Sequence, residues 1–265
     1  MGAKTALLAF VDGDLRPALR GARPSGPAEA EAMVRQFLPG YVVTLTGDST
    51  LEATYPPDDI TCATVLPGAV LLCDRRLVLD RPSELPAHLL RAGAGRRIIM
   101  HGMHSVVDWL CFAVWDDEQM VRSLSLSPDG GIIENIGEPF DFERPYWDGE
   151  HPVEPVPGSS DQDSYPLPFH PLELGEQALR ALFGFVIEGC PERDDIDVDT
   201  VHMHEFLVAD PSGEEQAARE AAYERATRDM GPPRMFRPGP DGAMQEISWD
   251  EFLAGSAPDD SNSPR

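Results

Sequence analysis

The sequence predicts an α+β domain: a mixed, largely antiparallel β-sheet that opens with a strand–helix–strand unit and is covered by helices. Three observations carry this. A continuous apolar run at Thr5–Val11 is followed by an amphipathic segment and then a second β-rich run, "YVVTLT". Four β segments between Arg96 and Gly137 are separated only by short turn signals, the pattern of an antiparallel meander. Finally, "LELGEQALRALFGFVIEG" places Leu174, Ala178, Leu182 and Phe185 on one helical face.

Taken in order, Thr5–Val11 has the unbroken apolar character of a strand buried on both faces, and Asp12-Gly13-Asp14 ends it in a turn. In "GPAEAEAMVRQFLPG", Ala30, Met33, Val34, Phe37 and Leu38 fall at helical spacing and Pro39-Gly40 stop the helix. The first and second strands are therefore expected to run parallel through a right-handed crossover. "ATVLPGAVLLCDRRLVLD" holds two or three β segments broken at Pro67-Gly68. "RPSELPAHLLRAGAG" is a short helix with Pro86 in its first turn and Gly93 or Gly95 beyond its end.

The meander follows: "RRIIMHGMHS", "VVDWLCFAVW", "QMVRSLSLS" and "GIIENIG", with "DDEQ" and "SPDGG" as turns. In "MVRSLSLS" the set Met120, Arg122, Leu124 and Leu126 reads as the inner face, and Ser123, Ser125 and Ser127 as a solvated one. The Pro-rich stretch Glu138–Pro171 carries Phe140, Phe142, Tyr146 and Trp147, enough aromatics to pack on the sheet, whereas "VEPVPGSSDQDS" reads as mobile. The strong helix then runs from Pro171 to a stop at Gly189. Residues 1–209 form one α+β domain on this reading. Residues 210–265 are a charged helix and an acidic tail expected to be disordered, within which "MQEISWDEFLAG" is an amphipathic patch able to dock.

Composition narrows the class. A chain of 265 residues with 42% hydrophobic residues can bury a core without disulfides or a structural metal. Cys62, Cys73, Cys111 and Cys190 show no C-x-x-C spacing and read as reduced thiols. With no leader-like or membrane-length apolar segment, a soluble cytoplasmic protein is expected. The formal charge of −25, from 46 acidic and 21 basic residues, argues against nucleic acid and against an anionic membrane as partners. A protein or a small molecule remains.

The chemistry-bearing residues fall into three groups. In "MHGMHSVVDW" a helix would align His101, His104 and Asp108, but the neighbours favour strand. At ~3.3 Å per residue Asp108 then lies ~13 Å from His104. His101 and His104 also point to opposite faces unless Gly102 marks a bulge. Asp108, read as lying in a central strand, needs a partner: a structural one, or His101 or His104 in an acid–base pair. In "VHMHE" the H-x-H spacing of His202 and His204 suits zinc if the segment is a strand. Its acidic context reads as loop, and a third ligand must come from elsewhere, so the two are assigned as surface or capping histidines. Asp12 and Asp14 lie at the carboxyl end of the first strand, where ligands of α/β folds tend to sit and where Mg²⁺ finds carboxylates; they also suit a turn and helix cap. There is no phosphate loop and no G-x-S-x-G elbow, and no metal or cofactor is assigned.

The strings "MGAKTALLAFVDGD", "LDRPSELP", "MHSVVDWLCFAVWDD", "VRSLSLSPDGGIIENIGEPFDFERPYW" and "YPLPFHPLELGEQALRALFGFVIEG" resemble an uncharacterised actinobacterial family, a domain of unknown function, over roughly residues 1–209. The resemblance implies a bacterial cytoplasmic protein whose tail lies outside the shared part, and it supplies no activity. Two functions remain in view. The first is a non-enzymatic binding domain making contacts through Asp12, Asp14, Trp109, Tyr146 and Trp147. The alternative is a metal-assisted hydrolase that gathers His101, His104 or Asp108 with Asp12 or Asp14 across the sheet's edge. A pocket within ~4–5 Å of two or more of the latter side chains separates them.

Overall fold

Burial along the strands sets the architecture. In a computed structural model that describes residues 2–21, 23–153, 165–230, 235–238 and 244–247, the chain divides into two compact units, Met1–Pro211 and Ser212–Arg265. The first holds β1 (Lys4–Val11), β2 (Val42–Thr50), β3 (Ile60–Leu66), β4 (Ala69–Cys73), β5 (Arg97–His104), β6 (Trp109–Asp116), β7 (Gln119–Ser127), β8 (Gly131–Ile136) and β9 (His202–Ala209). Its helices are α1 (Leu15–Leu19), α2 (Pro27–Phe37), α3 (Ala87–Ala92), α4 (Arg144–Trp147) and α5 (Pro171–Phe183). The second unit contains α6 (Glu214–Met230), the expected charged helix, and a hairpin of β10 (Met235–Pro238) and β11 (Met244–Ile247). The tail from Ser248 onward and most of "VEPVPGSSDQDS" lie outside the described residues.

The nine strands form one sheet in the order β2-β9-β3-β4-β1-β5-β6-β7-β8. Every neighbouring pair is antiparallel, so the sheet is α+β in class but not mixed. β1 and β2 do run in the same direction, but β4, β3 and β9 separate them. β9 replaces a segment expected to be loop. Its acidic approach looks like loop, yet ladders to β2 on one side and β3 on the other hold it extended.

Alternation along β1 assigns the two faces. Leu8 and Phe10 pack with Ala30, Val34 and Phe37 of α2 and Leu89 of α3. Leu7, Ala9 and Val11 pack with Leu15 and Leu19 of α1 and with Leu179 and Phe183 of α5. Helices therefore cover both faces, which is why β1 reads as an unbroken apolar run. On the α5 side, Leu110, Phe112, Leu124 and Leu126 continue into a third cluster with Tyr146, Phe169 and Leu174. Pro171 occupies the first helical position of α5, and His170 caps it by accepting from the Leu172 N–H at 3.3 Å. The helix ends earlier than expected because Gly184, at φ 88°, takes the left-handed cap position instead of Gly189.

One expectation about β7 changes. Ser123, Ser125 and Ser127 are buried, not solvated. The turn at Pro82–Glu84 covers them, and Glu134 of β8 accepts from the Ser83 N–H at 3.0 Å and from the Ser83 and Ser123 hydroxyls. On the other face, fully buried Arg122 pairs with fully buried Glu143 at 2.6 Å and donates to Asn135 Oδ1 and the Ile136 carbonyl. Glu143 in turn accepts from the Phe140 N–H at 2.8 Å. This fastens "FDFERPYW" to the sheet, and the aromatics pack there as expected.

Candidate functional site

The structure separates the residues of the hydrolase alternative. His101 is fully buried on the α5 face, where its Nε2–H donates to the Gly175 carbonyl at 3.0 Å and its Nδ1 accepts from the Thr5 hydroxyl at 2.8 Å. Burial pushes its pKa down to about 4. Both nitrogens are spent on the scaffold, so this imidazole is a core residue. His104 is three residues further along β5, on the opposite face, and meets Tyr55 edge-on at 5.9 Å. Burial and the charges of Lys4 and Arg75 hold it below the ordinary imidazole value. Gly102 does not re-phase them: the β1–β5 register runs unbroken from Lys4↔His104 to Val11↔Arg97. The missing side chain instead seats the Trp109 ring, which a Cβ would meet at 3.0 Å.

Asp108 is not in a strand. It ends the four-residue turn Ser105–Asp108 between β5 and β6 at φ 47°, with Val106 and Val107 exposed beside it. The valines supplied the misleading β signal. The histidine it meets is His170, at 3.7 Å. Asp12 and Asp14 follow β1 at the opposite end of the strand from Lys4 and its partner His104. Seven strand steps amount to about 23 Å. The pockets that Asp12 and Asp14 line include none of His101, His104 and Asp108.

The aromatic contact candidates are likewise taken into the fold. Trp109 and Tyr146 are each only 6% exposed. Trp147 is half-buried, edge-on to Phe169 at 5.0 Å. Trp109 joins the core on the α2 face, and packing with β6 and β7 residues takes up the Tyr146 and Trp147 rings that an open loop would have offered to a partner.

Asp12 and Asp14 do line an open cleft of about 630 Å³, where the end of β1, the connection into β5 and the β6–β7 turn converge beside α5. Its apolar lining comes from Val11, Leu15, Ile99, Ala181 and Leu182. Around it stand Asp12, Asp14, Asp116 and Asp117 with Arg96 and Arg97. Arg96 lies 3.4 Å from Asp12. Arg97 grips Asp116 with two hydrogen bonds of 2.7 and 2.9 Å, which holds that carboxyl below, and the guanidinium above, its usual range. Asp14 caps α1 by accepting from the Arg16 N–H at 3.1 Å, so it also fulfils the capping role. Asp117 and Glu118 both hold positive φ, 47° and 64°, a left-handed pair without a glycine. "DDEQ" is a turn, as expected, and shares the cleft with "DGD" through a long-range contact that local sequence does not carry. A second hollow, lined by Asp14, Arg16, Pro17, Arg20 and Asp194, adjoins at Asp14.

The H-x-H pair has a different fate from the one expected. Because β9 is a strand, His202 and His204 share a face, with ring centroids 4.7 Å apart. Asp48 is the β2 residue directly opposite His204. Its Oδ1 lies 2.9 Å from His204 Nδ1 and 3.3 Å from His202 Nε2. This third group was invisible in the sequence because it is 156 residues away, and only the β2–β9 register brings it in.

These features define an α+β domain on a fully antiparallel nine-stranded sheet, with an open acidic cleft at one end and a His–Asp cluster on its β2–β9 edge pair. The chain belongs to a Family of unknown function (DUF6928), whose model matches residues 5–206. No curated protein and no solved structure matches it significantly. Among the described residues, no helix is long and apolar enough to cross a membrane.

Proposed function

We propose that the domain is a non-enzymatic binding module whose ligand is a small molecule with an apolar body and a cationic head, taken up in the cleft around Asp12 and Asp14. The observation that carries this reading is the cleft itself, in which three separate connections bring four carboxylates and two guanidiniums around an apolar lining. Formal charges at the rim sum to −2, so a bound cation gains where an anion loses. The left-handed Asp117–Glu118 backbone adds support. Non-glycine residues in that region cost about 1 kcal/mol or more each and tend to collect at ligand sites. The hydrolase alternative has no such support, since its histidines face opposite sides of the sheet.

Two-dimensional amide NMR of the full chain tests the proposal, with benzamidine as probe and benzoate as control. Benzamidine is expected to shift the amides of residues 12–14, 95–97 and 116–117, and Asp12→Asn to weaken that response. Benzoate is expected to leave them in place. No response to benzamidine, or one centred away from these residues, sinks the reading.

A further inference from the structure

We propose that Asp48, His202 and His204 form a three-ligand site for a first-row divalent cation, zinc above all, clamping edge strand β2 to β9. The inference stands apart from the cleft and uses none of its residues.

The donor geometry fits. A tetrahedral zinc ion with bonds of about 2.0–2.1 Å holds neighbouring donor atoms about 3.3 Å apart. Asp48 Oδ1 already lies 2.9 Å from His204 Nδ1 and 3.3 Å from His202 Nε2, and all three atoms fall within 4.8 Å of one another. Small side-chain rotations suffice to admit the ion. Access is open, because the Asp48 side chain is 67% exposed and the His202 side chain 39%. The fourth position is left to water.

Hydrogen-bond counting points the same way. A neutral imidazole carries one N–H. His204, only 7% exposed, faces an acceptor at each ring nitrogen: the Ser25 carbonyl 3.4 Å from Nε2 and the Asp48 carboxylate 2.9 Å from Nδ1. One of these contacts is a lone pair facing a lone pair unless a cation stands there, either a second proton or a metal ion. Donation of Nε2–H to a backbone carbonyl is the outer-shell arrangement that turns Nδ1 toward a metal. His202 also directs a nitrogen at the same Asp48 oxygen, while its own Nδ1 is buried without a partner among the described residues. Two imidazoles and one carboxylate suit zinc; Mg²⁺ and Ca²⁺ prefer all-oxygen shells.

The test is zinc uptake by the full chain after chelator treatment, measured by competition with a chromogenic chelator. One equivalent is expected, undiminished by excess MgCl₂. Asp48→Asn and His202→Gln, both at partly exposed side chains, are each expected to weaken uptake at least tenfold, with unchanged circular dichroism showing that the fold persists. Absence of a stoichiometric site overturns the proposal. Uptake within twofold of the parent in both variants overturns it too, since the zinc then sits elsewhere, for instance on the exposed Cys190 thiol.

Discussion

His101 shows how far a single residue's surroundings decide its role. A histidine in an apolar run reads equally as a core residue or a catalytic base until its partners are known. Here the Thr5 hydroxyl and the Gly175 carbonyl take both nitrogens, and burial holds the ring neutral with a pKa of about 4. The consequence for stability has a definite sign. Below the ordinary value of 6.5 the unfolded chain takes up a proton that the folded chain refuses, so stability falls with pH from 6.5 and the loss is complete below 4. The shift corresponds to roughly 3 kcal/mol. His101→Gln removes this titration and is destabilising at pH 7, where it disturbs a buried hydrogen-bonded site. Urea unfolding at pH 7 and pH 4 is therefore expected to show the parent's advantage over the variant shrinking by about 3 kcal/mol. An advantage independent of pH is incompatible with a neutral, buried His101.

At the scale of elements, polar residues inside the sheet locate what packs against it. Arg122 occupies a position of β7 that reads as inner face, and a guanidinium there looks like an exception to the alternation. It is instead the anchor of the aromatic segment: its pair with Glu143, both fully buried, draws Phe140 and the α4 turn onto β6 and β7. Removing one partner strands the other charge in the core, so Arg122→Met is expected to cost about 3–5 kcal/mol in chemical denaturation. A loss under about 1 kcal/mol is the figure for an exposed pair and contradicts this burial. The sequence made the apolar half of this packing legible, because Phe140, Phe142 and Tyr146 announce a buried surface. The long-range partners were not legible. Ser123 looked solvated because Glu134 and the Pro82–Glu84 turn that cover it cannot be placed from local periodicity. The same limit hid β9 and Asp48: local propensity described the strands well in the β3–β4 hairpin and from β5 to β8, where neighbours in sequence pair in space, and failed at β9, which is inserted between β2 and β3 from far along the chain.

For the whole molecule, the position of β9 decides where the folded unit must end. It lies between β2 and β3, and Phe206 and Val208 contribute to the core on the α2 face. The family match runs to residue 206, inside this strand, and the first compact unit to Pro211. A chain cut after Pro211 keeps all nine strands, and its thermal midpoint is expected to stay within about 4 °C of the full chain's, the range that about 1 kcal/mol spans in a unit of this size. A cut after Pro191 is the informative contrast. It removes β9, deprives β2 of its only strand neighbour among the described residues and opens the core beside Val43 and Ala63, so loss of the cooperative melt is expected. If the shorter chain melts cooperatively near the parent's midpoint, β9 is an accessory strand and the sheet's completeness cannot depend on it. If the longer one collapses, the second unit stabilises the first, and the boundary at Pro211 is not a boundary of folding.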